Sequence, residues 1–253
     1  MFYIAKLTAI AVITVPLSML TIFCGLFDPQ GKQVYRINRL WTWLILQIAG
    51  ITLNVDGLKR LDPQCQYLFV VNHQSNIDIP VLIQALADFQ LRWIAKKELL
   101  WVPFFGWAMW ASKHITVNRA DSLDALKSLD MAKRRIAAGI SVVIFPEGTR
   151  STEGKLLPFK RGGFLLAVKT RTPIVPVTIN GTGKLLPKGD WRLRRGEVNV
   201  NIGAPLAVEN LRPGGLRGLS EQVKEIIAAQ LDTGDPNGKG QERLTQAAIS
   251  ARR

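Results

Sequence analysis

Asn72-His73-Gln74-Ser75-Asn76-Ile77-Asp78 sets a histidine and an aspartate five positions apart, directly after the apolar run Tyr67 to Val71. A neutral imidazole takes a proton near pH 7, and a carboxylate on its other nitrogen fixes the tautomer and stabilises the imidazolium that forms. The chain has only two histidines, so a general-base reading rests on His73 with Asp78. On a regular helix a spacing of five turns through about 500°, leaving the two side chains about 140° apart. They meet only if His73 lies in a turn and Asp78 in the first turn of a following helix, which Asn72, Ser75 or Asn76 would cap. Taken alone, the pair also reads as a structural histidine and an N-terminal helix charge.

A second polar motif, Phe145-Pro146-Glu147-Gly148-Thr149-Arg150, follows the apolar run Ser141 to Ile144. Gly148 permits close backbone approach, Thr149 adds a hydroxyl, and Glu147 and Arg150 bracket them. Arg150, Arg119 and Lys96 together would hold a phosphate dianion, because guanidinium forks bind phosphate oxygens bidentately. Each arginine alone reads as a surface charge. Open α/β sheets place ligands at the carboxyl ends of strands, so two polar motifs at two strand ends imply one site. Ser75 lacks the G-x-S-x-G setting of a nucleophile, and Gly181-Thr182-Gly183-Lys184 lacks the first glycine of a phosphate loop.

These residues must be positioned by short β-rich runs: Tyr67 to Val71, Arg92 to Ala95, Ile115 to Val117, Val142 to Phe145, Ile174 to Ile179 and Glu197 to Ile202. Helical segments alternate with them, which predicts an α/β domain with a mixed, largely parallel sheet flanked by helices. The clearest helix is Asp121 to Gly139, with Leu126, Leu129 and Ile136 on one stripe and Gly139 as its stop. A last helix is expected over Leu216 to Leu231. The aromatic-rich stretch Leu99 to Ala111 reads as a core helix, an apolar groove or a dip into a bilayer. The loop Gly183 to Gly196, with Lys184, Lys188, Arg192, Arg194 and Arg195, reads as a contact for anionic headgroups or as a solvated basic loop.

The 253 residues, 47% of them hydrophobic, suffice for one large domain. We expect membrane-anchoring helices over 1–53, the α/β domain over 54–231 and a polar, disordered tail over 232–253. A net charge of +14 favours nucleic acid, anionic lipid or a phosphorylated substrate. The apolar N-terminus selects lipid and argues against nucleic acid. Leu7 to Phe27 is uncharged over 21 residues, long enough to cross about 30 Å of hydrocarbon. Pro16 and several hydroxyl residues leave open a helix lying in the interface, or half of a helical hairpin. Leu40 to Leu53, with Trp41 and Trp43, reads as a shallow amphipathic or re-entrant piece. Lys32, Arg36 and Arg39, placed in the loop between, put the rest on the cytoplasmic face of a bacterial-type inner membrane. Cys24 and Cys65 offer neither a disulfide framework nor a metal set.

Asn72-His73-Gln74-Ser75 through Asp78, Ile115-Thr116-Val117-Asn118-Arg119, Phe145 to Arg150 and Ile174-Val175-Pro176-Val177 resemble, in order, the four blocks of the glycerolipid acyltransferases. The likeness is nearest to the 1-acylglycerol-3-phosphate (lysophosphatidate) acyltransferases. The first and third blocks are specific, and Asn118 departs from the pattern, where an acidic residue is common. The resemblance implies a membrane enzyme that moves a fatty acyl group from a coenzyme A or acyl-carrier-protein thioester to the hydroxyl of lysophosphatidate, giving phosphatidate. It puts the catalytic pair on His73 and Asp78. Lys96, Arg119, Glu147, Gly148, Thr149 and Arg150 then bind the acceptor's glycerol phosphate, with Glu147 alternatively orienting Arg150. No metal or other cofactor is implied, since a thioester is already activated. Other lysophospholipids and lyso-ornithine lipid are alternative acceptors, and a non-catalytic binder of anionic lipid is the rival from another class.

Overall fold

A computed structural model of the chain describes residues 2–118, 121–152, 155–209 and 215–232. The first helix, α1 (Phe2–Phe27), continues through Pro16, and the turn 28–31 reverses the chain into α2 (Lys32–Ala49). Asp28 Oδ2 accepts the backbone N–H groups of Gln33 and Val34 at 2.6 and 3.1 Å, capping α2. Lys32, Arg36 and Arg39 therefore lie in α2 rather than in the expected loop. Gly50, at φ +70°, ends α2 by donating to the carbonyls of Leu46 and Gln47. The next residues form β1 (Ile51–Asp56), a strand beyond those expected from the sequence. The expected boundary at 53/54 thus falls inside a strand.

The chain continues through β2 (Leu68–Val71), α3 (Asp78–Ala85), β3 (Leu91–Lys96), α4 (Phe105–Ala111), β4 (Ile115–Val117), α5 (Ser122–Ala137) and β5 (Ser141–Ile144). It ends with α6 (Gly162–Thr170), β6 (Ile174–Asn180), α7 (Thr182–Leu185), β7 (Gly196–Ile202) and α8 (Leu216–Gln230). The strands form one sheet in the order β1-β7-β6-β2-β5-β3-β4. Only the β6–β7 pairing is antiparallel, so the expected mixed, largely parallel sheet is present. Of the expected tail, residues 233–253 lie outside the described residues.

Both faces of the sheet are covered, which is why its central strands read as unbroken apolar runs. Side chains alternate between the faces. Phe69, Val71, Val143, Val175 and Val177 join Leu46, Val81, Leu82 and Leu86 in one core. Leu68, Val70, Val142, Ile144 and Ile174 join Phe164, Leu219, Val223 and Ile227 in the other. On α5, Leu129, Ala132 and Ile136 reach the second core, but Leu126 is exposed; the apolar stripe is narrower than its spacing suggested. The stretch Leu99 to Ala111 is not a core helix. A 3₁₀ turn (Lys97–Trp101) leads into α4, and Trp101, Trp107 and Trp110 are all exposed, Trp101 by 85%.

Helix α1 is fastened to the domain along its length. Lys6 Nζ donates to the Ala49 carbonyl at 2.6 Å, Trp41 Nε1 to Thr14 Oγ1 at 2.9 Å, and Lys113 Nζ to the Asp28 carbonyl. Gly25 lets α1 close on α4, for a Cβ there would stand 2.9 Å from that of Ala111. The turn 28–31 is held by Arg92, which is buried in β3 and donates to the carbonyls of Leu91, Gly31 and Gln30 at 2.8, 3.2 and 3.4 Å. Burial lowers its pKa to about 10, so it stays charged at neutral pH. Arg92→Met strips these carbonyls of a charged donor. A loss of about 2–3 kcal/mol is expected in the thermal unfolding of the detergent-solubilised protein.

Candidate active site

The sheet order places the ends of β6, β2, β5 and β3 side by side, and β2, β5 and β3 run parallel. The loops after them therefore emerge together. His73 lies in the turn after β2, and Asp78 opens α3, as the five-residue spacing required. His73 Nδ1 and Asp78 Oδ2 are 2.7 Å apart. Asp78 Oδ2 also accepts the backbone N–H groups of Gln74 and Ser75 at 2.8 and 2.9 Å. None of the expected capping residues caps α3: the residue before it is Ile77, without a side-chain cap. Ser75 Oγ instead donates to the Leu186 carbonyl at 2.7 Å. Asn72 clamps β2 to β6 by exchanging two hydrogen bonds with the Ile179 backbone, at 2.8 and 2.9 Å.

The second motif holds the histidine from the other side. Glu147 Oε1 accepts the His73 N–H at 2.8 Å, the Ser151 N–H donates to the His73 carbonyl at 2.8 Å, and the Phe145 ring stacks on the imidazole at 4.0 Å. Glu147 Oε2 accepts the Leu157 N–H at 2.9 Å. Glu147 is buried, which raises its pKa against the opposing pull of those two N–H groups. It braces two loops rather than lining the cavity. Gly148, at φ +73°, occupies a backbone conformation that favours glycine.

A cavity of about 310 Å³ opens at this point, with His73, Lys96, Gly148, Thr149 and Arg150 on its walls. Lys188 Nζ adds charge beside it, donating to Thr149 Oγ1 and the Arg150 carbonyl at 3.3 Å each. Arg119 lies outside the described residues. From this cationic rim the cavity runs back along β3 to Trp93, walled by Leu17, Ile83, Leu99, Phe105 and Met109. Its polar lining includes Ser18 and Thr21 of α1, Asn38, Ser112 and His114, residues the sequence reading did not connect with the site.

An acyltransferase family model matches residues 52–180, which hold both motifs. The chain belongs to the acyltransferase family. The 1-acyl-sn-glycerol-3-phosphate acyltransferase alpha of Ovis aries is 31% identical over 242 residues, 94% of this chain and 81% of that one. A chloroplastic 1-acyl-sn-glycerol-3-phosphate acyltransferase of Brassica napus is 36% identical over 189 residues, 73% of this chain and 54% of that one. The crystal structure of the 1-acyl-sn-glycerophosphate acyltransferase of Thermotoga maritima superposes with a TM-score of 0.79 at 25% identity, over 93% of this chain and 95% of that one. The acyltransferase is therefore an enzyme, an O-acyltransferase, and the non-catalytic lipid binder is set aside.

Two outcomes follow from this geometry. Glu147→Gln keeps one acceptor but turns an NH₂ group against a backbone N–H. With about 1–3 kcal/mol lost at the brace, kcat of the acyltransferase should fall about tenfold or more while the acceptor KM changes little; loss of a substrate ligand would raise KM instead. His114 accepts the Trp93 N–H through Nδ1 at 3.4 Å, and burial, with Arg92 and Arg135 nearby, lowers its pKa from 6.5 to about 3. Between these values the unfolded chain binds a proton that the folded chain refuses, so stability falls as pH drops from 6.5 toward 3. Unfolding temperatures measured across that range should fall less steeply for His114→Phe.

Proposed function

We propose that the acyltransferase moves a fatty acyl group from a thioester to the free hydroxyl of lysophosphatidate, giving phosphatidate. The observation that carries this reading is the single cavity in which His73 stands between a cationic rim and an apolar depth. Such a space suits a substrate that is phosphate at one end and hydrocarbon at the other. With Nδ1 donating to Asp78, the imidazole presents an unprotonated Nε2. Nε2 takes the acceptor's hydroxyl proton as that oxygen attacks the thioester carbonyl. The tetrahedral intermediate then collapses, the carbon–sulfur bond breaks, and the imidazolium returns its proton to the departing thiolate. Asp78 holds the ring and stabilises the imidazolium without itself accepting the proton. Arg150 and Lys96 are the phosphate ligands, joined by Arg119 on the family resemblance. No metal or prosthetic group enters this scheme, because a thioester is activated and a thiolate leaves readily. The donor is a coenzyme A or carrier-protein thioester.

The acyltransferase works at a membrane surface in this reading. One helix, over Tyr3–Phe27, is long and apolar enough to cross a bilayer. Its polar fastenings to the domain favour a helix lying along the interface. The outward residues Val12, Met19, Phe23 and Phe27 of α1, and Trp101, Trp107 and Trp110, would meet lipid. The catalytic domain then faces the cytoplasm. The deciding measurement is acyl transfer in lipid nanodiscs from radiolabelled oleoyl-coenzyme A to lysophosphatidate, with a carrier-protein thioester and a panel of other lyso-lipids alongside. His73→Ala should reduce the rate about 10²–10⁴-fold and leave membrane association intact. Product with lyso-ornithine lipid alone would overturn the acceptor, and an unchanged rate in the variant would overturn the base.

A further inference from the structure

A second cavity, of about 280 Å³, is lined by Phe159, Arg161, Arg217, Ser220, Glu221 and Lys224. It lies between the loop 155–161 and α8, whose apolar residues belong to the core on the opposite face of the sheet from α2 and α3. Arg161, Arg217 and Lys224 form no ion pair with any carboxylate among the described residues. Three cations thus share the cavity wall with one carboxylate, an arrangement that attracts an anion. Ser220 lines this cavity though only 6% exposed, and its hydroxyl has no hydrogen-bond partner among the described residues. A nearly buried hydroxyl on the wall of a cationic space is a feature of a built site rather than of a solvated surface.

We propose that this cavity binds a soluble phosphomonoester. The guanidinium groups of Arg161 and Arg217 grip the phosphate oxygens, Lys224 adds charge and Ser220 donates a hydrogen bond. Glu221 accepts from a hydroxyl next to the phosphate, as in a phosphorylated polyol. A lipid headgroup offers the same chemistry, but the outward apolar residues of α1 and α4 belong to the other side of the sheet, so the ligand comes from water. The wall 155–161 contains Leu157, whose N–H is held by Glu147, which sets this site one loop away from the catalytic histidine.

The test is calorimetric titration of the full-length protein in detergent with glycerol 3-phosphate and with inorganic phosphate, at constant ionic strength. An Arg150→Ala background weakens the cationic rim of the catalytic cavity. Binding should persist in that background, weaken at least tenfold when Arg217→Ala and Lys224→Ala are added, and weaken several-fold with Ser220→Ala. The double variant in the otherwise native protein should keep acyl transfer, which shows that it folds. Binding that is absent from the Arg150→Ala background, or indifferent to Arg217 and Lys224, overturns the proposal. So does binding to phosphatidate vesicles that depends on Arg217 and Lys224 without any affinity for the soluble phosphates. Because the readout is binding, the result stands or falls separately from the acceptor assigned above.

Discussion

His73 has four polar atoms, and the protein holds three of them. Its N–H goes to Glu147, its carbonyl receives the Ser151 N–H, and Nδ1 meets Asp78. The remaining atom, Nε2, is the one a base needs. The partners come from different places in the chain, α3 on one side and the loop after β5 on the other. Their agreement depends on the parallel pairing of β2 with β5, in which Phe69 stands opposite Val143 and Val70 opposite Ile144. A slip of one residue in that register would turn the slipped strand's side chains from one core to the other and withdraw the brace. The close-packed sheet therefore sets the position of Nε2, and the loops after β2 and β5 inherit it.

Asp78 illustrates how the ring is held in place. One carboxylate oxygen collects two backbone N–H groups and the imidazole, while Oδ1 is buried without a partner. An unsatisfied buried oxygen is costly. The three hydrogen bonds on Oδ2 offset that cost. Oδ2 thereby lies beside Nδ1 of the imidazole.

The spacing of His73 and Asp78 already demanded a strand, a turn and a helix, and the fold supplies them. The role of Glu147 was not legible. A carboxylate between two strand ends serves equally as a ligand or as a brace, and the choice depends on Leu157, ten residues later, returning its N–H to the same side chain. Asn72 has no local signal either, since its partner Ile179 is 107 residues away. Strand β1 had a signal, the alternation of Ile51, Leu53 and Val55. It was hidden because the apolar run of α2 leads straight into it, separated only by Gly50. Six strands stood out because polar or glycine-containing segments flank them; the seventh adjoins a helix of like composition.

Composition could not decide how α1 meets the membrane, but the distribution of its polar residues does bear on it. Three of the hydroxyl residues that dilute its hydrophobicity face inward: Ser18 and Thr21 are buried on the cavity wall, and Thr14 receives the Trp41 N–H. The exposed apolar positions include Val12, Met19, Leu20, Phe23 and Phe27. This polarity is the reverse of a helix packed on a water-soluble domain, whose apolar stripe faces the core. It is the expected pattern when the solvent on the outer side is hydrocarbon. The same inversion makes α1 part of the active site, because its inward face closes the cavity that begins at His73. On the proposed reading, a helix so placed would both seat the enzyme on lipid and complete the space for the substrate, so that the acyl chain would not leave an apolar environment to reach His73.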